Sequence, residues 1–373
     1  MSNSSRRAFL VHGCQSVAAV GVLSKVGFSW ALDDPHKSMI AKGAEFLKAR
    51  QAEDGSWSGE RKEPGITGLV LAGLLKSKSV TPNDPVVTKG LAYLEKYAGA
   101  KGGLSEAPHA NYTTAIALLA FHEANKDGRY DAFIKGSQNF LTTMQWDEGE
   151  GKNPSDTFYG GAGYGGKNDR PDLSNTSFML EALRDTGIPG DDPAMKKAIV
   201  FLSRCQNLKS EFNDQPWAGK VNDGGFIYTP ANNGTSVAGK TADGGLRSYA
   251  SMTYAGLKSM IYAGLSKDDP RVKAATDYLK HNYTVEENPG LGQSGLFYYY
   301  HTFAKTMDVL GSDAFVDAGG ASHDWRADLT AALLKRQNEN GSWANKTDRF
   351  MEGDPNLVTA YGLLCLSYLN AKS

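Results

Sequence analysis

The sequence predicts an all-α protein in which twelve helices form a ring of six hairpins, an (α/α)6 toroid. Apolar residues recur at helical spacing along most of the chain, as at Met195, Ala198 and Leu202, and strand-like alternation is nearly absent. The heptad Gln-Ala-Glu-Asp-Gly-Ser-Trp at residues 51–57 returns as Gln-Asn-Glu-Asn-Gly-Ser-Trp at residues 337–343. Because each copy follows one helix-like run and precedes another, the two copies indicate one repeated unit at both ends of the chain.

Residues 1–31 are predicted to be a signal peptide of the twin-arginine type. Arg6 and Arg7 precede a mildly apolar stretch rich in Gly, Ala and Val, and Ser29-Trp30-Ala31 has the small-x-small pattern of a cleavage site. Such signals carry folded proteins across a bacterial membrane. We therefore expect a periplasmic or exported bacterial protein that meets the membrane only during export. An uncleaved membrane anchor is the alternative interpretation of the same segment.

Proline marks the predicted helix starts in order along the chain. One set of helices begins with Asp-Pro, in which Asp caps the helix and Pro takes its first position; these prolines are Pro35, Pro85, Pro193 and Pro270. The intervening helices are predicted to open at Pro64, Pro108, Pro171 and Pro355. This alternation predicts one inner and one outer helix in each unit, within a single domain over residues 32–373.

Between the helices lie four weaker copies of the heptad, at residues 101–104, 160–164, 223–226 and 292–297. With the two full copies they make six units. Gly supplies a left-handed turn where one helix stops, and the aromatic residue is predicted to pack on the Gln stem and seal neighbouring units. The period is uneven because two loops, at about residues 147–170 and 207–245, are long and rich in Gly, Asn and Asp. Long loops on one face of a repeat ring often carry function.

Charge and cysteine content exclude several classes of function. The chain has 40 basic and 41 acidic residues, and without the leader 37 basic residues remain. No basic stripe indicates nucleic-acid binding. The three cysteines, Cys14, Cys205 and Cys365, are far apart and unpatterned, so they indicate neither a disulfide framework nor a thiolate metal site.

The two full heptads resemble the Gln-Trp repeats of the squalene–hopene cyclase and protein prenyltransferase β-subunit superfamily, the prenyltransferase/squalene oxidase repeat family. The resemblance covers nearly all of the chain after the leader. It implies a single toroid, as in prenyltransferase β-subunits, whereas squalene–hopene cyclases pair the toroid with a second helical domain. The resemblance is specific for the fold and weak for the reaction.

The family's cyclases protonate an alkene with a carboxylic acid in an Asp-x-Asp-Asp-Thr-Ala run at the start of an inner helix. The matching residues are Asp172-Leu173-Ser174-Asn175, and a Ser hydroxyl cannot protonate an alkene. Asp172 is therefore a candidate catalytic residue without the usual proton donor beside it, and Asn175 is a candidate ligand-binding residue. Asp354 is an alternative acid. Helix N-caps are the competing interpretation for Asp172 and Asp354.

The family's prenyltransferases bind zinc through an Asp-x-Cys pair and a His in a Tyr-His-Thr run. Tyr300-His301-Thr302 resembles the second motif, but the other two ligand positions fall on Arg247 and Tyr249. Because two of three ligands are absent, no zinc and no other cofactor is expected. Arg247, Tyr249 and His301 are instead predicted to line a ligand site.

Aromatic residues are plentiful on the predicted inner helices and would suit an apolar cavity or steady a carbocation. Tyr254 and Tyr299 are candidates of this kind. Trp325, in the run His323-Asp324-Trp325-Arg326, is another. Core packing is the competing interpretation for any single aromatic residue.

These observations predict a terpenoid-cyclase-like toroid that binds an apolar, isoprenoid-type ligand in its central cavity, with catalysis left open. A non-catalytic ring that binds a peptide or a partner protein is the main alternative. An exported carbohydrate-active enzyme is the third, since (α/α)6 toroids also serve in that class. It would need two carboxylates facing each other, and the candidates at helix starts and in loops are Asp172, Asp223, Asp243, Asp324 and Asp354.

Overall fold

Helices dominate the computed structural model, which describes residues 34–59, 63–165 and 169–369. Among these residues the only paired strands are β1 (Phe315–Val316) and β2 (Ser322–His323). The twelve α-helices are α1 Pro35–Ala49, α2 Pro64–Lys76, α3 Pro85–Glu95, α4 Ala110–Ala124, α5 Asp131–Thr143, α6 Leu173–Asp185, α7 Pro193–Cys205, α8 Ala250–Tyr262, α9 Pro270–His281, α10 Leu296–Leu310, α11 Trp325–Arg336 and α12 Pro355–Leu369. The predicted all-α class is confirmed. The predicted signal peptide lies outside the described residues.

The even-numbered helices form an inner ring and the odd-numbered helices pack behind them. Each inner helix contacts the next, from α2 through α12, and α12 returns to contact α2. Every residue of α2 from Pro64 to Leu75 is buried, whereas α9 buries only one stripe, formed by Val272, Ala275, Tyr278 and Leu279. A helix without a polar face must be covered on all sides. The predicted (α/α)6 toroid is confirmed.

Glycine in the repeated turn permits close contact with the next outer helix. A Cβ on Gly160 would lie 1.9 Å from the carbonyl oxygen of Lys197 in α7, and its φ is +82°. Four further units repeat this contact. A Cβ added to Gly55, Gly102, Gly224 or Gly341 would lie 2.3–2.5 Å from a carbonyl oxygen of the next outer helix. Because both the positive φ and the contact exclude a side chain, these positions require Gly.

The Gln and Trp residues of the full heptads both contact the next outer helix. Trp57 Nε1 donates to Leu47 O of its own outer helix at 2.8 Å, and its ring lies against Gly90 of α3. Gln51 Nε2 donates to Val86 O of the same helix α3 at 2.9 Å. Gln337 Nε2 donates to Met39 O at 3.0 Å and thereby joins the last outer helix to the first.

Two predicted helix starts are displaced by two residues. Pro108 and Pro171 precede their helices, which begin at Ala110 and Leu173. At α6, Asp172 is the N-cap residue and its side chain accepts from Asn175 N. The remaining six prolines occupy the first helical position as predicted.

The C-terminal ends of the inner helices carry a charged layer, which we define as Lys76, Glu123, Glu181, Asp185, Lys258 and Lys305. Asp185 binds Lys76 at 3.2 Å and Lys305 at 3.0 Å. Lys258 binds Glu181, and both side chains are at most 2% exposed. Burial acts to raise the pKa of Glu181, but the charges of Lys258 and Lys305 outweigh it and hold the pKa below its usual value. This layer occupies the ring axis at one end.

Of the helices in the described part of the chain, none is long and apolar enough to cross a membrane.

Candidate ligand-binding cavity

A cavity of about 540 Å³ lies at the other end of the ring axis, among the first turns of the inner helices. Its volume is within the usual range for small-molecule sites. Every inner helix contributes to the wall, through Ile66, Thr113, Ser174, Met252, Tyr298 and Leu357 among others. The cavity and the charged layer therefore lie at opposite ends of the space that the inner helices enclose.

Six tyrosines line this cavity: Tyr112, Tyr164, Tyr228, Tyr249, Tyr298 and Tyr361. Three of them lie on inner helices and Tyr249 is the N-cap residue of α8. Tyr164 and Tyr228 come from the two long loops that the sequence marks as irregular. Burial raises the pKa of Tyr112, Tyr228 and Tyr298, so all three are neutral hydroxyls in the physiological range. Among the residues that the structure describes, no Lys and no Arg lines the cavity.

The segment before α12 forms part of the cavity mouth and is conformationally strained. Phe350 and Met351 both line the cavity and both have a φ of +63°. Two consecutive bulky residues in the left-handed region are uncommon and cost of the order of 1–3 kcal/mol each. Phe350 remains 50% exposed. This segment therefore holds an apolar side chain at the entrance.

Asp172 lies directly behind the cavity wall, since it is 2% exposed and is not itself a lining residue. Its Oδ1 accepts from Asn175 N at 2.9 Å and its Oδ2 accepts from Asn175 Nδ2 at 2.8 Å. Burial raises the pKa of Asp172 to about 6, against the opposing effects of Asn175, Tyr228 and Arg170. The residue is therefore a buried N-cap directly behind the cavity wall.

Backbone contacts fix Tyr228 in front of Asp172. Leu173 N donates to Tyr228 O at 2.8 Å, and Thr229 Oγ1 donates to Pro171 O at 2.6 Å. These bonds join the second long loop to the two residues that flank Asp172. The Arg170 guanidinium lies 5.3 Å from the centre of the Tyr228 ring, a distance typical of a cation–π contact.

Two other polar groups face the cavity near the broken acid motif. The Ser174 hydroxyl lies 3.1 Å from the Tyr298 hydroxyl, so the position that a cyclase would fill with its proton donor holds an alcohol. Glu352 lines the cavity, but its Oε1 accepts from Tyr298 N at 2.8 Å and its Oε2 accepts from Asn345 Nδ2 at 2.7 Å. Burial raises the pKa of Glu352. Both of its oxygens are engaged.

His301 lies inside the ring of inner helices, between the cavity and the charged layer. It is 1% exposed, and neither ring nitrogen has a hydrogen-bond partner among the described residues. Its ring stacks on Phe178, with centroids 6.2 Å apart. Burial lowers the pKa of His301 to about 3, so the imidazole is neutral near pH 7.

The structure brings few of the sequence-predicted site residues to this cavity. Tyr249 lines it, and Asp172 and Asn175 lie behind its wall. Arg247 is exposed on a loop, where its Nε donates to Lys240 O at 3.2 Å. Asp354 caps α12, its side chain accepting from Asn356 N.

Three predicted aromatic candidates pack away from the cavity. Tyr254 and Tyr299 are fully buried and contact each other, with ring centroids 5.7 Å apart. Trp325 is also fully buried, and its Nε1 donates to Ser312 O at 2.8 Å. Their positions fit core packing, because none of the three is a lining residue.

The residues that sequence reasoning missed are Tyr164, Tyr228 and Phe350. The long loops were a signal for the first two, but loop sequence does not indicate which side chain turns inward. Among the described residues no group of three or more His, Cys, Asp or Glu side chains could hold a metal ion. Arg247, Tyr249 and His301 are also not brought together.

Solved structures share this architecture. The type II terpene cyclase MstE from Scytonema, in complex with its substrate geranylgeranyl dihydroxybenzoate, superposes with a TM-score of 0.55 at 13% identity, over 90% of this chain and 97% of that one. Candida albicans protein geranylgeranyltransferase-I complexed with GGPP gives 0.53 at 14%, over 87% and 89%.

A family 76 glycoside hydrolase from a bovine Bacteroides thetaiotaomicron strain gives a TM-score of 0.54 at 13% identity, over 89% of this chain and 78% of that one. No protein-family model matches the sequence, and no curated protein matches it. The structural likeness confirms the predicted resemblance at the level of the fold, which cyclases, prenyltransferases and glycoside hydrolases share.

Proposed function

We propose that this protein binds an apolar, isoprenoid-type small molecule in the tyrosine-lined cavity. The observation that carries the proposal is the wall itself, in which aliphatic side chains and six tyrosines surround about 540 Å³. Such a surface matches an unsaturated hydrocarbon chain, because apolar burial supplies affinity and the ring faces contact double bonds. The terpene cyclase and the geranylgeranyltransferase of the same fold bind geranylgeranyl compounds, which supports this choice of ligand.

Protonation of an alkene is not part of the proposal. Ser174 occupies the position of the family's proton donor, and Asp172 is buried behind the wall and does not line the cavity. Glu352 faces the cavity, but its carboxylate is occupied by the first backbone amides of α10. Binding is what these residues support.

The carbohydrate alternative is less well supported. Of the five aspartates that could serve it, Asp172, Asp223, Asp243, Asp324 and Asp354, none lines the cavity. The carboxylates that do line it are Glu63 and Glu352, and both oxygens of Glu352 already accept hydrogen bonds. Asp324 and Asp354 cap helices, and Asp243 is bound by Thr241. Hydrolysis needs two free carboxylates across the bond that breaks.

The proposal is tested by mass spectrometry of an organic extract of the purified protein, followed by titration with radiolabelled geranylgeraniol. A co-purified isoprenoid and saturable binding are expected. Met252→Trp, which fills the cavity, should weaken binding at least about tenfold because it displaces the chain. Leu334→Trp, on the exposed surface, is the matched control and should bind normally. A clean extract together with no saturable binding would refute the proposal.

We also propose export through the twin-arginine leader. Replacing Arg6 and Arg7 by Lys should leave the protein in the cytoplasmic fraction, since the export pathway reads the arginine pair. The measurement is cell fractionation with immunodetection. Unchanged periplasmic recovery of the variant would argue against this leader.

A further inference from the structure

Two hydroxyl groups on the cavity wall bind each other, and we call them the hydroxyl pair. They belong to Ser174, in the first turn of α6, and Tyr298, in the first turn of α10, and their oxygens lie 3.1 Å apart. Both residues line the cavity. Among the described residues, neither hydroxyl has a second hydrogen-bond partner. The remaining hydrogen-bonding capacity of the pair is therefore available to a ligand.

Helix caps hold the hydroxyl pair in place before a ligand binds. Tyr298 N donates to Glu352 Oε1 at 2.8 Å, which fixes the first turn of α10. Asp172 caps α6 by accepting from Asn175 N at 2.9 Å, which fixes the turn that carries Ser174. A ligand that binds at the pair does not have to order these two turns, and such preorganisation lowers the free-energy cost of binding.

One proton of the hydroxyl pair is always left over. A neutral hydroxyl has one proton to donate and two lone pairs that accept. The bond between the two oxygens uses one proton, whichever oxygen donates it, so the other O–H group is uncommitted. Burial raises the pKa of Tyr298, and both groups keep their protons near pH 7. The pair therefore offers the cavity one hydrogen-bond donor.

The internal bond strengthens this donor. The leftover proton belongs to the oxygen that accepts the internal hydrogen bond, and hydrogen bonds in a chain polarise one another. A hydrocarbon that filled the cavity would exclude water from this proton and give it no acceptor, which is costly. A ligand oxygen at the same place would replace the water. The pair therefore favours a ligand that carries an acceptor.

We infer that the hydroxyl pair of Ser174 and Tyr298 donates a hydrogen bond to a carbonyl oxygen of the ligand, and that the cavity thereby selects an oxygenated isoprenoid, such as an aldehyde or a ketone, over the matching hydrocarbon. The inference rests on the proposed function, because it specifies the polar group of the same ligand. A site built to bond a polar group discriminates against an analogue that lacks the group.

The test compares two ligands that share one chain, geranylgeranial and the hydrocarbon in which a methyl group replaces the aldehyde. Displacement of radiolabelled geranylgeraniol from the purified protein gives both affinities. Their ratio is compared between the wild type and the double variant Ser174→Ala with Tyr298→Phe, so that the different hydration of the two ligands cancels. The double variant should lower the preference for the aldehyde roughly tenfold because no donor is left. Its affinity for the hydrocarbon should not fall, which shows that the cavity is intact.

The two single variants test whether the donor is shared. Ser174→Ala leaves the Tyr298 proton, and Tyr298→Phe leaves the Ser174 proton, so each should lower the preference less than the double variant does. A purely structural role of the two residues would not produce this redundancy. Full loss of the preference in either single variant would overturn the inference of a shared donor.

The matched control is the double variant Ser251→Ala with Tyr249→Phe, which removes the same two groups from the wall at α8. Ser251 Oγ accepts from Asn288 Nδ2 at 3.1 Å. The control should keep the wild-type ratio of affinities. A fall of less than about threefold in the variant of the hydroxyl pair, or an equal fall in the control, would overturn the inference while the proposed function stands. Absence of binding by both ligands and by geranylgeraniol would overturn the proposed function and this inference together.

Discussion

Asp172 combines two roles that conflict electrostatically. As an N-cap it accepts hydrogen bonds that favour the ionised carboxylate, yet it is 2% exposed, and the loss of hydration dominates. Its pKa consequently rises to about 6 from 3.8.

Asp172→Asn should change how stability depends on pH. Between about pH 4 and pH 6 the folded wild type binds more protons than the unfolded chain, so its stability falls as pH rises, by about 3 kcal/mol for this group. The variant lacks this group, and it should gain that amount relative to wild type between pH 4 and pH 7. Urea unfolding of both proteins at several pH values measures the difference. A pH-independent difference would contradict the raised pKa of Asp172.

His301 is a buried polar side chain without partners, and its replacement by an apolar ring should stabilise the protein. We expect His301→Phe to gain about 1–3 kcal/mol at pH 7, because two unsatisfied ring nitrogens are removed. Protonation of the unfolded chain favours unfolding of the wild type as pH falls from 6.5 toward 3, so the gain should grow by about 2 kcal/mol at pH 5.

Urea unfolding at both pH values checks the His301 prediction. The exposed His281→Phe is the control and should show neither effect. Destabilisation of His301→Phe at pH 7 would indicate that the imidazole has a partner in solution.

At the scale of elements, the turn between outer and inner helices explains why the heptad repeats. Its Gly touches the next outer helix, and its Gln donates to that helix as well, as Gln145 Nε2 does to Ala194 O at 2.9 Å. A threonine of the inner helix binds the following amide, as Thr176 Oγ1 accepts from Ala162 N at 3.0 Å. The copies at residues 160–164 and 223–226 keep all three contacts and lose the indole. The copy at residues 101–104 keeps the Gly and threonine contacts.

Two glycines with nearly the same φ distinguish the cost of a left-handed backbone from the cost of a steric clash with a neighbouring helix. Gly160 and Gly239 have φ of +82° and +86°, but only Gly160 has a carbonyl oxygen where its Cβ would stand. Gly239→Ala should cost about 1 kcal/mol, the price of the left-handed conformation. Gly160→Ala should cost about 3 kcal/mol or more, because the turn must also move from α7.

The midpoints of thermal or urea unfolding of the two glycine variants provide the measurement. Equal effects of Gly160→Ala and Gly239→Ala would show that the contact between units contributes nothing.

The sequence was sufficient for the elements and insufficient for the site. Helical periodicity and the Asp-Pro starts locate the helices, because both are local properties of the chain. Tyr164 and Tyr228 lie in loops without periodicity, and their inward orientation depends on contacts far along the chain, such as Leu173 N to Tyr228 O. Buried charges such as Lys258 were missed for the same reason, since the partner Glu181 lies on another helix.

At the scale of the whole molecule, the charged layer replaces an apolar core at one end of the ring. Its members come from α2, α4, α6, α8 and α10, so the ion pairs connect helices that are distant in sequence. Buried ion pairs contribute little net stability but strongly penalise the loss of one partner. The layer therefore determines which helices pack together, and it adds little to the stability of their packing.

Lys258→Met alone should cost about 3–5 kcal/mol because Glu181 is left buried with a weaker partner, Lys305 at 3.7 Å. The double variant Lys258→Met with Glu181→Met should recover at least about 2 kcal/mol of that loss. Lys335→Met, which removes the exposed pair with Glu286, should cost less than about 1 kcal/mol. A double-mutant cycle in urea measures the coupling, and additive losses would contradict the pairing.

The charged layer also closes the space along the ring axis at one end. Residues that are at most 5% exposed, His301, Glu181, Lys258 and Lys305, fill the axis below the cavity. A molecule that enters at the mouth beside Phe350 must leave by the same route, and no successor can enter until it has gone. A linear polymer therefore cannot thread through the ring along this axis.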